Sequence, residues 1–110
     1  MVFGSIQSDE VWIAGEALID EVCINNGIVQ PFVGGGPANT ARALGKLGLK
    51  SVLVTGISTD LYGNQIVKEL TKDGVNLSFA LLSDLATAIA KVSIDNSGAA
   101  NYEFLLDGTS

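Results

Sequence analysis

The chain has 110 residues, 47% apolar and 16% charged, with twelve acids against six bases and a net charge of −6. That describes one small domain, two at most, too apolar and too weakly charged for a disordered chain. The acidic balance opposes nucleic-acid binding, which rests on neutralising phosphates with Lys and Arg. Without any His and with Cys23 as its one cysteine, this chain alone supplies no Ser-His-Asp or Cys-His site, no His-based metal site and no intrachain disulfide.

In chain order, Val11–Gly15 is a short apolar run that predicts a buried strand, and Glu16–Asp20 continues it and ends on acids. Val22–Val29 carries Asn25-Asn26-Gly27 between β-branched residues, a strong hairpin signal. Gly34-Gly35-Gly36-Pro37 is a sharp break. Ala38–Leu47 then predicts a helix with Pro37 in its first turn and Gly48 past its end. Arg42, Lys46 and Lys50 step along its polar face, opposite Ala41, Leu44 and Gly45. Ser51–Gly56 predicts a second buried strand. Asp60 predicts the N-cap of a helix over about Leu61–Asp73, with Ile66, Val67 and Leu70 inward and Gly74 ending it. Val75–Leu82 predicts a third strand, and Ala88–Asp95 and Asn101–Leu106 a second hairpin around Asn96-Ser97-Gly98. Strand-helix-strand crossovers imply parallel pairing and an α/β core, and the two hairpins form a separate antiparallel layer.

The N-terminal MVFGSIQSDE lacks the basic-then-apolar pattern of a secretory signal, and no apolar run approaches the roughly 18 residues of a membrane span. A lone cysteine fits a reducing compartment, so the expectation is a cytoplasmic protein without a membrane partner. The apolar content exceeds what a free-standing domain this small needs. It implies surface to be covered by further chain or by another subunit.

Two features point to a ligand. Three glycines leading into a helix let the backbone approach a ligand beside free N–H groups and a positive dipole end, with Asn39 adding a donor and an acceptor; a loop that needs positive φ explains a bare Gly triplet equally well. A dinucleotide turn fails because Asn39 stands where the third Gly belongs, and a phosphate loop fails because no Gly-Lys-Ser/Thr follows. Asp20 sits just after an apolar strand, where α/β folds gather ligand groups. Taken alone, it reads first as a solvated acid.

Together, Gly15-Glu16-Ala17-Leu18-Ile19-Asp20, Gly34-Gly35-Gly36-Pro37-Ala38-Asn39-Thr40-Ala41 and Leu47-Gly48 resemble the N-terminal part of a ribokinase-like carbohydrate kinase of the PfkB family. The family's Gly pair, Asn, small residue and Gly seven places on correspond to Gly34-Gly35, Asn39, Ala41 and Gly48. Ser58-Thr59-Asp60-Leu61-Tyr62-Gly63 resembles the turn that follows, with Ser58 in place of the usual Gly and Thr59 of a common Asp. Gly74-Val75-Asn76 is similar to the start of the next strand. The resemblance runs from about Trp12 to Ser110, and the ending Ala100–Ser110 is most similar to fructokinase-type members. Gly36 stands where ribokinases proper carry Lys.

The resemblance implies a partial doubly wound sheet with a small antiparallel β lid. The lid hairpins would be about 22–33 and 88–106, within a single N-terminal piece, 1–110. It implies an ATP-dependent kinase acting on a sugar hydroxyl, fructose first, then another hexose, a keto-deoxy sugar acid or a nucleoside. Asp20, Gly35, Gly36 and Asn39 would bind the sugar, with Phe104 over the ring. The family's catalytic Asp lies in a Gly-x-Gly-Asp turn that this chain lacks, and its ATP and Mg²⁺ sites lie in that same missing part. The 110 residues are therefore expected to hold no catalytic base and no cofactor contacts, and to be inactive alone. A homo-oligomer through the lid sheet or an exposed sheet edge is expected. The alternative is a non-enzymatic sugar-binding or self-associating module.

Overall fold

A computed structural model describes residues 2–4, 9–24, 27–95 and 97–110, the first three through their backbone. Its elements are β1 (Val2–Gly4), β2 (Glu10–Ala14), β3 (Leu18–Ile24), β4 (Ile28–Gly34), α1 (Gly36–Lys46), β5 (Lys50–Val54), β6 (Gly56–Ser58), α2 (Leu61–Lys72), β7 (Val75–Asn76), β8 (Leu81–Ser83), β9 (Ile89–Ile94) and β10 (Ala100–Leu105).

The core sheet runs β1-β2-β5-β7, with β2-β5 and β5-β7 parallel and β1 antiparallel on its edge. Ile13, Leu53, Ile57, Ile66 and Leu70, each at most 1% exposed, anchor the main apolar cluster between this sheet and the helices. Val67, expected inward, lies on the outer face of α2 and is 38% exposed.

The helix ends follow the expected chemistry. Pro37 occupies the first turn of α1, and the Asp60 side chain accepts from the Gly63 N–H at the start of α2. Arg42 does more than line a polar face. Its guanidinium donates to Asp73 at 2.9 Å and to the Val33 carbonyl at 3.2 Å, tying α1 to the end of α2 and to β4.

Two expected strands divide. Glu16–Asp20 does not continue β2: the chain leaves the core sheet at Gly15-Glu16-Ala17, and β3 enters a second sheet. Val75–Leu82 is also not one strand. The Asn76 side chain accepts from the Ser78 N–H, a local turn that stops β7 after two residues. The chain resumes as β8, which pairs in parallel with β6 in a two-stranded sheet.

The second sheet runs β10-β9-β3-β4. Both hairpins are antiparallel, but they join through a parallel β3-β9 pair, a contact that hairpin signals do not specify. Asn25, Asn26 and Asn96 of the expected hairpin turns lie outside the described residues. Gly27 donates its N–H to the Ile24 carbonyl, and Asp95 accepts from Ser97 and Ala99. No described helix is long and apolar enough to cross a membrane.

Candidate functional site

Side chains alternate along a strand, so register assigns each residue of the second sheet to a face. Leu18, Asp20 and Val22 share the front face. Ile19 and Glu21 point to the back, where Ile19 and Val33 enter the main core. Asp20 pairs with Phe32 on one side and Ala90 on the other, and Ala90 pairs with Phe104. The front face therefore carries the row Phe32, Asp20, Ala90, Phe104. Strands are spaced about 4.8 Å apart, so Phe104 stands about 10 Å across the sheet from Asp20.

Gly34 explains the turn. A Cβ on Gly34 would meet Asp20 Oδ2 at 2.2 Å, so the carboxylate lies directly over the bare Cα, and a larger residue there would displace it. Gly35 follows at φ 99° as the residue before α1, and no side chain caps that helix. A Cβ on Gly35 would press on the Glu16 carbonyl at 2.9 Å. Gly36 meets nothing within 4 Å. The Asn39 backbone N–H donates to the Gly35 carbonyl at 2.9 Å, and its side chain is exposed. Burial raises the Asp20 carboxyl above its usual pKa, because the charged form is partly desolvated there.

A cavity of about 430 Å³ opens at the base of this face, lined by Glu16, Leu18, Ala88, Phe104, Leu106, Thr109 and Ser110. The apolar walls and few polar groups suit a small polar molecule with a hydrophobic edge. Phe104 lines the cavity yet is 58% exposed, and its ring lies parallel to Tyr102 with centroids 6.2 Å apart. A second cavity of about 390 Å³, bounded by Glu21, Cys23, Lys91 and Glu103, lies toward the back of the sheet, away from Asp20.

The structure thus brings Asp20, Gly34 and Gly35 into one constellation, with Gly36 and Asn39 in the adjoining turn and Phe104 across the sheet. Gly34 is the glycine against Asp20. Glu16 and Phe32 are the neighbours that sequence reasoning missed. Glu16 had a signal in its place beside Gly15. Phe32 is assigned only by the β3-β4 register. Among the described residues, no group of three or more His, Cys, Asp or Glu is arranged to hold a metal ion.

The model of the pfkB family carbohydrate kinases matches residues 1–108. The chain belongs to that family. A fructokinase of Rhizobium leguminosarum bv. trifolii is 35% identical over 99 residues, covering 86% of this chain and 30% of that protein. The Escherichia coli fructokinase is 26% identical over 100 residues, covering 90% and 33%. Among solved structures, the fructokinase of Xylella fastidiosa with bound ATP superposes with a TM-score of 0.86 at 27% identity, over 93% of this chain and 32% of that one. The chain spans about a third of the length of the relatives it matches. Its pfkB portion has the ribokinase-like α/β fold, with the second sheet standing beside the parallel core.

Proposed function

We propose that these 110 residues form the sugar-binding part of an ATP-dependent carbohydrate kinase, with fructose as the preferred substrate. The observation that carries the reading is the Asp20 carboxylate held against the bare Gly34 Cα, beside a helix start with no side-chain cap, on the sheet face whose Leu18 and Phe104 line a cavity. A sugar hydroxyl both donates and accepts. Asp20 accepts from hydroxyls, the Gly35-Gly36 backbone and the Asn39 side chain offer complementary groups, and Phe104 covers the apolar edge of the ring. The second sheet then acts as a lid.

Phosphoryl transfer forms a bond from the sugar oxygen to the γ-phosphorus and breaks the bond to ADP, and the hydroxyl proton goes to a base. The resemblance assigns that base to the Asp of a Gly-x-Gly-Asp turn, which does not occur in these residues, and places the ATP and Mg²⁺ sites in the same part of the family pattern. The role proposed for this chain is therefore binding and orientation, with no turnover of its own.

The test is titration of the purified chain with fructose, beside a coupled ATP assay. Asp20→Ala is expected to abolish binding. Unchanged affinity in that variant removes Asp20 from the site, and turnover by the 110-residue chain refutes the division of labour.

A second reading rests on a separate observation. Ile24, Ile28, Phe32, Ile94, Tyr102 and Phe104 lie on the front face and are each at least 45% exposed. Such a surface suits a second copy of the chain, and self-association is expected in sedimentation. A monomer at all concentrations excludes it.

A further inference from the structure

The turn Ser58–Gly63 has no part in the Asp20 site, yet Asp60 and Tyr62 reach from it to the second sheet and the segment before β9. Asp60 Oδ1 accepts from the Gly63 N–H at 2.7 Å and caps α2. The same carboxylate accepts from Thr87 twice, from its N–H at 2.9 Å and from its hydroxyl at 2.6 Å. Thr87 is 3% exposed and stands two residues before β9. Gly63 is required at its place, because a Cβ there would lie 1.8 Å from the Ser58 carbonyl oxygen.

Further along α2, Tyr62 Oη donates to Glu21 Oε2 of β3, and Gln65 Nε2 donates to the Pro31 carbonyl of β4 at 3.1 Å. The helix and its cap therefore hold two strands of the second sheet at mid-strand, β3 through Glu21 and β4 through Pro31, and the segment that leads into β9 through Thr87. Glu21 adjoins Asp20, and neighbouring residues of a strand point to opposite faces. A grip on Glu21 from behind sets the direction of Asp20 in front.

We propose that α2 positions the front-face site: Asp60 with Thr87, Tyr62 with Glu21, and Gln65 with Pro31 fix where Asp20 and Phe104 stand relative to Gly34–Gly36. Asp60, Thr87, Tyr62 and Gln65 are positioning residues. The grip is independent of what the site binds, whereas its effect on a sugar rests on the carbohydrate reading above.

Hydrogen exchange of the 110-residue chain, followed by NMR without sugar, tests the grip. Thr87→Val and Tyr62→Phe each remove one hydroxyl and keep the side chain's size. Each is expected to speed exchange of the β3, β4 and β9 amides about tenfold while the β5 amides keep their rates. Thr87→Ser, which keeps the hydroxyl, restores the parent rates. Unchanged rates in the second sheet, or an equal rise in β5, overturn the proposal. Titration with fructose then separates the two readings. A parent chain that binds fructose, with Tyr62→Phe binding several-fold more weakly, supports positioning, and equal affinity in the two chains overturns it. A parent chain that binds none removes the carbohydrate reading, and the exchange rates still decide the grip.

Discussion

The core and the second sheet are built from similar residues and held in different ways. In the core, Ile13, Leu53, Ile57, Ile66 and Leu70 are closed in on all sides. In the second sheet, Leu18, Ala88 and Ala90 make a small cluster of their own, and the outer front face is bare. The core keeps its shape through burial. The second sheet is anchored by Ile19 and Val33 in that same core and by polar contacts with α2, and it leaves its outer front face open, as a surface that meets a ligand or a partner must. The two regions should therefore respond to different perturbations.

The sharpest contrast comes from Leu53→Ala. Leu53 is fully buried, so the cavity is expected to cost about 3 kcal/mol in urea unfolding. A loss below about 1 kcal/mol would mean that the core is not the rigid half.

Asp60→Ala comes next. It removes the α2 cap and leaves the Thr87 N–H and hydroxyl without their acceptor, for an expected loss of about 1–2 kcal/mol. The pH dependence identifies the cause. Burial alone raises the Asp60 carboxyl, but hydrogen bonds from Thr87, Gly63 and Ser58 outweigh it and hold the carboxyl below its ordinary value of 3.8. A lowered folded pKa gives stability that is complete above 3.8 and lost as pH falls through the folded value. Asp60→Asn should flatten that acid limb, and an unchanged limb would assign the acid sensitivity elsewhere.

Asp20 has the opposite sign. Burial raises its carboxyl, so the folded state holds its proton more tightly than the unfolded chain does. Stability is then favoured in acid and falls as pH rises from 3.8 through the folded value. Asp20→Asn is expected to raise the urea midpoint at neutral pH while weakening fructose binding, the trade found where a site keeps a strained charge. A lower midpoint would make Asp20 a structural acid.

Phe104→Ala is the mildest change. The ring is mostly exposed, so stability should move by less than about 0.5 kcal/mol, while fructose affinity drops several-fold. Equal affinity would confine Phe104 to its stacking on Tyr102.

Much of this division was legible in the chain. Asp60 as a cap, Pro37 in the first turn of α1 and the two hairpins all follow from local chemistry, because a cap or a tight turn is decided by residues within four positions of one another. The same range explains the errors. Nothing local separates Glu16–Asp20 from the strand before it, since the break lies in which sheet each half joins. Nothing local stops β7 except the Asn76 side chain, which competes with the ladder for a backbone N–H.

The sequence by itself determined the helices, the glycine turn and the order of motifs that marks the pfkB family. Only the tertiary structure decided that Gly34 is the glycine beneath Asp20, that Phe32 and Phe104 share its row, and that Asp60 reaches Thr87, 27 residues away. Helix and turn signals are written in neighbouring residues. Register and cross-element hydrogen bonds arise only when distant strands meet, and there the parallel β3-β9 pair sets which side chains face the same space.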